Sequence, residues 1–308
     1  MKRIFSALYL LIAFALGITF IYSAYTKTLP IQSFEYTIVE FTNMPWLLAA
    51  AMARALVGLE AALGLLIAIH FFGSRKWVLK TALALLAVFS IYLIYLWAKA
   101  GNNVNCGCFG DRIWMSPSSS LLKNAVMIIL LLLLIRFHKG IHFKWSWLTD
   151  AVLFLGIITS IFFVFPIPPQ QPHWLSKDNY PLDLSPLYAP GKKDAPSIDL
   201  HKGKYVIAFF SLACPHCRMA ALKMQVMKTK NPALPFYMVL AGDDNNLKPF
   251  FEQTKAYNIP HTRLEKQAFL DLVGYSWPVI DWVNNDTVVA QADYVTLSQQ
   301  EIENWLSK

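Results

Sequence analysis

Five apolar stretches, each about long enough to cross a bilayer, fill the first 165 residues of this chain and leave it few ways to fold. Crossing the hydrocarbon core takes about 20 mostly apolar residues, and the helix is favoured because it satisfies every peptide group internally. The stretches run from about Ile4 to Tyr25, Pro45 to Phe72, Trp77 to Ala98, Pro117 to Ile135 and Trp147 to Phe165. Lys2-Arg3 and the small residues of Tyr22-Ser23-Ala24 give the first one the flanks of a secretory signal. Its apolar core is longer than a signal's, so an uncleaved anchor is expected. Trp46, Trp77, Trp114 and Trp147 stand near span ends, where aromatic belts form.

The chain is 56% hydrophobic and 15% charged, with a net charge of +8. In a soluble protein that charge points to nucleic acid, but here it clusters at span ends. Lys2, Arg3, Arg75, Lys76, Lys80, Arg136, Lys139 and Lys144 fall on one side, and Lys27, Lys99 and Arg112 on the other. The positive-inside rule makes the first group cytoplasmic and argues against nucleic-acid binding. The loop 101–117 and everything after the fifth span then face outwards. The expected place is a bacterial cytoplasmic membrane, multi-pass, with the N-terminus inside and the C-terminal part periplasmic.

Phe165-Pro-Ile-Pro-Pro-Gln-Gln-Pro172 reads as an extended spacer. Beyond it polarity returns to normal, and strand and helix patterns alternate. Tyr205–Ser211 and Leu234–Ala241 read as strands, and Pro215–Thr229 and Leu247–Asn258 as helices. A short helix over Glu265–Gly274 and a hairpin around Asn284-Asn285-Asp286 follow, then a closing helix over Ser298–Leu306. The fold class expected is an all-α transmembrane bundle, a four-helix core plus a fifth span, joined to an α/β domain. The domain boundaries are 1–145 for the bundle, 146–166 for the fifth span, 167–190 for the linker and 191–308 for the soluble domain.

The four cysteines form two close pairs, Cys106/Cys108 and Cys214/Cys217. They are too few and too local to staple a scaffold, so they read as reactive pairs. Cys214-Pro215-His216-Cys217 joins an apolar strand to a helix. A helix N-terminus stabilises a thiolate through its partial positive charge and free N–H groups, and His216 can add charge or a hydrogen bond. Cys214 is then the attacking sulfur, and Cys217, one turn in, resolves the mixed disulfide. No second Cys-x-x-Cys or His pair completes a zinc site, and no His follows Cys217 as haem attachment needs. Cys106-Gly107-Cys108 has three readings: a structural clip, a second redox pair made reducible by a small strained ring, or a metal or cluster ligand. Gly107 permits the backbone geometry that such a ring requires.

With the dithiol opening the first helix and Trp277-Pro278 leading into the hairpin, residues 190–308 resemble a thioredoxin-fold domain. That resemblance implies a cis-proline at Pro278 set against the dithiol. Phe209-Phe210-Ser211 before the dithiol is similar to the active-site stretch of DsbA-type oxidants, although the shorter length is nearer to TlpA-like domains. Thioredoxin's buried acid, six residues before the first cysteine, is replaced by Ala208. The membrane half resembles the MauE/DoxX group through Ser23-Ala-Tyr-Thr-Lys27, Gly58-Leu-Glu60 and Cys106-Gly-Cys-Phe-Gly110. The resemblance implies a maturation role beside a thioredoxin-like partner, here fused on one chain.

Arg54 and Glu60 lie inside the second span, six residues apart and so on different helix faces. One reading makes them an interfacial Arg and a Glu bonded between helices. The other lines a cavity for a quinone headgroup or a proton. Lys27 reads as a membrane-end anchor.

The function expected is a membrane-anchored extracytoplasmic thiol–disulfide oxidoreductase. Cys214/Cys217 exchange disulfides with exported client proteins and with Cys106/Cys108, with a quinone as a further partner. Two alternatives stand beside it: a MauE-like assembly factor without turnover, and an importer of reductant. An importer needs cysteines that meet a cytoplasmic donor, and neither spans nor inner loops carry one. The direction of electron flow is open.

Overall fold

The computed structural model describes residues 2–72, 76–111, 113–140, 146–169, 171–175, 178–192 and 194–308. Arg75, Arg112 and Lys144 of the charge pattern lie outside them, as do the side chains of Lys2, Arg3 and Trp147. The chain forms two compact units, 1–167 and 168–308.

The first unit is helical: α1 (Lys2–Lys27), α2 (Ile31–Thr42), α3 (Trp46–Ala68), α4 (Trp77–Ala100), α5 (Pro117–Phe137) and α6 (Ser146–Val164). A short strand, β1 (Cys108–Asp111), lies between α4 and α5. Among the described residues, four helical segments are long and apolar enough to cross a membrane: Ala7–Lys27, Trp46–Ala68, Trp77–Ala100 and Pro117–Phe137. The fifth expected span falls on α6, whose described apolar part, Leu148–Val164, is shorter. Large apolar residues on these helices stay exposed, among them Leu11, Phe14, Val88, Ile91, Leu122 and Ile129. In water such a surface would drive aggregation; in lipid it is the solvent-facing side.

Between helices the backbones approach closely. A Cβ at Gly17 of α1 would stand 2.5 Å from the Gly64 carbonyl of α3, so only glycine allows this crossing. Around it pack Ala13, Leu16, Phe20, Leu63, Leu66 and Ile67, continuing into Leu79, Ala82 and Leu86 of α4 and Met127 and Leu131 of α5. Gly58 gives α6 the same access to α3, beside Ile158. Helix α5 starts on Ser116, whose hydroxyl accepts from the Ser119 N–H, with Pro117 in the first turn. The sequence reading left 31–42 without an element. Helix α2 forms there because Ile31, Tyr36, Ile38 and Val39 supply a buried face, and left-handed Asn43 ends it.

The second unit is built on a seven-stranded sheet: β2 (His173–Trp174), β3 (Tyr180–Pro181), β4 (Lys204–Ser211), β5 (Phe236–Ala241), β6 (His261–Arg263), β7 (Val279–Asn284) and β8 (Thr287–Ala292). The order is β2-β8-β7-β4-β5-β6, with β3 also on β8. Strand β4 is parallel to β5 and antiparallel to β7. Four helices cover the sheet: α7 (Pro215–Lys230), α8 (Leu247–Thr254), α9 (Lys266–Val273) and α10 (Gln299–Leu306). Ile207, Phe209, Tyr237, Val239 and Val283 form one core with Phe269 of α9 and with Leu182, Leu184 and Leu187. On the other face Phe210 meets Phe250 of α8, and Trp282 meets Trp305 of α10. A β-α-β unit followed by a hairpin and helix, with the hairpin antiparallel to the first strand, is the thioredoxin arrangement.

The helices, β4, β5 and the hairpin expected from the pattern are all present within a few residues. Strand β6 was not expected; its three residues are too short to show a period. Strands β2 and β3 lie inside the 167–190 stretch read as linker and extend the sheet on β8. Their two-residue length hides them in the same way.

Candidate functional site

The first site sits where β4 hands the chain to α7. Cys214 is the N-cap of α7, with Pro215 next, and its Sγ accepts the Cys217 N–H at 3.3 Å. That bond uses one of the four N–H groups a helix start leaves unpaired. Cys214 is partly exposed, whereas Cys217 is fully buried. Burial first, then hydrogen bonding to Cys214, pushes the Cys217 thiol well up from its usual value. The two sulfurs thus differ as an attacking and a resolving thiol should.

The peptide bond Trp277-Pro278 is cis. Pairing of Phe209 with Val279 sets Pro278 level with Phe210, at the strand end that feeds the dithiol loop. His216 is exposed, and its ring stacks on Tyr294 at 4.9 Å. The loop bearing Tyr294 is tied to α7, because buried Lys223 donates to the Tyr294 and Val295 carbonyls. Arg218 closes the other side by donating from Nε and Nη2 to the Leu212 carbonyl. Tyr294 and Lys223 gave no signal in the sequence, since each acts across more than 70 residues of chain.

The second site is around Cys106 and Cys108, which are not bridged. Asn105 Oδ1 accepts the Gly107 and Met115 N–H groups, and the Cys106 N–H donates to the Met115 carbonyl at 2.9 Å, so the loop is fixed. Gly107 takes a left-handed φ of +68°, which glycine adopts without strain. Cys106 is 3% exposed and its Sγ lies 2.9 Å from the Ser120 hydroxyl. The Cys108 N–H also donates to that sulfur. Hydrogen bonding from the Cys108 thiol, then from Ser120 and the Cys108 N–H, lowers Cys106 from its ordinary value against the opposing effect of burial. The same sharing, with burial, drives Cys108 up. Cys106 is the first of this pair to ionise.

Behind the pair, Ser23 donates to the Cys108 carbonyl at 3.0 Å and reaches Glu60 at 3.1 Å. Lys27 grips both Glu60 oxygens at 2.8 Å and donates to Ser23. Lys27 is therefore not an anchor at the membrane end; it is 3% exposed and pays its desolvation in an ion pair with a 2% exposed Glu60. The reading of Glu60 as bonded between helices holds in this form. Ser23 and Lys27 stand four residues apart on one helix face, and that spacing together with an opposite charge in the next span was the available signal.

A cavity of about 240 Å³ opens beside this network. Cys106, Cys108, Lys27 and Glu60 line it, with Phe34, Phe89, Tyr92, Lys123 and Asn124. Arg54 is not among its walls. It pairs with Glu35 at 2.5 Å and donates to the Phe165 and Pro166 carbonyls, clamping the chain where α6 ends. The structure thus separates the two charges that the sequence reading grouped: Glu60 faces the cavity and Arg54 does not.

Comparison with known proteins bears on both halves. Residues 5–137 match the family model described as methylamine utilisation protein MauE. Over 305 residues the chain is 28% identical to Protein TlpB of Flavobacterium psychrophilum, covering 83% of this chain and 82% of that one. Among solved structures, the thioredoxin domain of a Bacteroides vulgatus thiol-disulfide oxidoreductase shares 19% identity, with 37% of this chain and 89% of that one covered and a TM-score of 0.32. A secreted Mycobacterium tuberculosis disulfide oxidoreductase, described as homologous to DsbE, shares 16% over 34% and 81% of the two chains, with a TM-score of 0.29. At these scores the strand order, not the likeness, carries the fold. The chain thus joins a membrane-type helical region, similar over residues 5–137 to MauE, to a domain of thioredoxin-like strand order that carries a Cys-x-x-Cys.

Proposed function

We propose that this protein is a membrane-anchored thiol–disulfide oxidoreductase whose Cys214/Cys217 pair faces the extracytoplasmic side. The observation that carries the reading is the asymmetry of the dithiol: a partly exposed Cys214 capping α7 and a fully buried Cys217 behind it. In the exchange, the Cys214 thiolate attacks a client disulfide, one client sulfur leaves, and Cys217 then displaces the other, so that the client ends as a dithiol and this pair as a disulfide. The reverse sequence oxidises the client. His216, stacked on Tyr294, stands beside the attacking sulfur in sequence, and Pro278 borders the loop.

Cys106 and Cys108 are the second redox pair in this reading, exchanging with Cys214/Cys217. A lipid-soluble quinone is the two-electron partner of the membrane pair. Support comes from their unequal thiols and from a charge pattern that puts both pairs on one side, with α6 as a fifth crossing. Replacing Cys106 and Cys108 with Ser should trap Cys214/Cys217 in one redox state in cells, read by thiol alkylation. An unchanged alkylation pattern sinks the relay. The MauE match favours a second reading, an assembly factor without turnover. Multiple rounds of client exchange by purified protein exclude it. The reduction potential of Cys214/Cys217 fixes the direction, a value near DsbA meaning an oxidase and one near thioredoxin a reductase.

A further inference from the structure

The cavity behind Cys106/Cys108 has features that a packing defect does not explain. Its walls are mostly apolar and aromatic, and they come from spanning helices α1, α3, α4 and α5 as well as α2 and the cysteine loop. Such a lining suits a largely apolar occupant. At about 240 Å³ the cavity exceeds the roughly 150 Å³ that holds a benzene-sized ring, so one substituted ring fits. Phe34 and Phe89 both stand 5.6 Å from the Lys27 ammonium, which places flat aromatic faces and a positive charge together. Lys123, also in the wall, lies 4.5 Å from the Phe109 ring centroid.

Among the described residues, one buried wall atom has no hydrogen-bond partner. The Tyr92 hydroxyl is buried and unpaired, although every buried hydroxyl costs free energy until it is paired. Asn124 already donates to Ser90, and Lys27 is satisfied by Glu60 and Ser23. Tyr92 is the donor left over. An acyl chain would leave it so, whereas a ring carbonyl would accept from it. The sulfurs of Cys106 and Cys108 share this wall, and a dithiol that turns over needs a partner taking or giving two electrons.

We propose that this cavity is the headgroup site of a quinone, with Tyr92 hydrogen-bonding a ring carbonyl and the neutral Lys27–Glu60 ion pair forming a polar part of the wall. The proposal rests on the relay reading above and gives it a place. In the oxidative direction the Cys106 and Cys108 thiols lose two protons and two electrons and form one S–S bond. The quinone takes both electrons, and its two carbonyl oxygens take both protons to give the hydroquinone. The reductive direction is the reverse. Tyr92 positions the ring, and the two sulfurs are the reacting atoms.

The test measures binding apart from turnover, on full-length purified protein with ubiquinone-1 and menadione as probes, by titration calorimetry. The Cys106→Ser/Cys108→Ser protein should bind as well as the parent. Tyr92→Phe, which removes one oxygen, should weaken binding about five- to tenfold, the worth of one buried hydrogen bond. Leu56→Trp fills the cavity from α3 and should abolish binding; where that variant does not fold, Tyr92→Phe alone decides. No binding of either probe to the parent overturns the site. So does an affinity that neither variant changes, which is what partitioning into the micelle gives. If the probes bind as expected but never reoxidise Cys214/Cys217, the relay falls and the site stands. If the cysteine substitutions trap Cys214/Cys217 but no probe binds, the site falls and the relay stands.

Discussion

The two cysteine pairs solve one electrostatic problem in different ways. At Cys214/Cys217 the helix supplies the solution: the N-terminus of α7 offers its N–H to the outer sulfur, and depth in the core keeps the inner one protonated. At Cys106/Cys108 no helix end is used. The thiols lie one residue apart in a loop, and the bias comes from Ser120, a neighbouring N–H and the sulfur of the partner. The first pair is built on a rigid, locally coded element. The second is held by groups gathered from α1, α3 and α5, so it depends on the whole bundle and can answer to what fills the cavity beside it.

That comparison can be broken in order of expected effect. Cys214→Ser should abolish exchange, and Cys217→Ser should accumulate mixed disulfides through Cys214, both visible on non-reducing gels; equal trapping by the two variants would erase the asymmetry of the dithiol. Next comes the support of the second pair. Lys27→Met alone strands Glu60 and should cost about 3–5 kcal/mol, and Lys27→Met with Glu60→Met should recover most of it. Thermal unfolding in detergent reads both, and an additive double variant would show that the pair is not coupled. Both changes should leave the Cys214/Cys217 exchange with a soluble client intact.

A third effect concerns Asp281 of β7, on the sheet face away from α7. Burial raises its carboxyl to about 6, partly offset by a hydrogen bond from Gln291. Because the folded state holds this proton more tightly, its contribution to stability is greatest below about pH 4 and is lost as pH rises through 6. Asp281→Asn should therefore stabilise the second unit at pH 7 by about 2–3 kcal/mol and flatten its melting temperature between pH 4 and 6. A variant less stable at pH 7 would refute the sign. The smallest effect is on Cys106. Because hydrogen bonds lower its pKa, its alkylation should set in at a lower pH than that of an ordinary thiol. Ser120→Ala should move the midpoint up by about one unit, the value of one hydrogen bond to the thiolate. An unmoved midpoint would assign the bias to Cys108 alone.

Four of the spans, the strand–dithiol–helix and the hairpin behind Pro278 were legible because each is coded by near neighbours. An apolar run of 20 residues has one fate in a bilayer, and a period of two or 3.6 is written within a dozen residues. The redox motif was legible for the same reason, since Cys214, Pro215, His216 and Cys217 occupy one helical turn. What failed was local too. Helix α2 and strands β2, β3 and β6 are short, and they exist because a distant element covers or pairs with them.

By itself the sequence determined that this chain is a membrane bundle joined to an α/β domain, and that its four cysteines fall in two close pairs. Only the tertiary structure decided how charges and donors divide around them. Lys27 meets Glu60 across 33 residues, Arg54 leaves Glu60 for Glu35, and Tyr92 arrives beside Cys106 with its hydroxyl unpaired. A buried charge must find its partner through space, and in a bundle the partner is chosen by which helices touch, not by which residues follow one another.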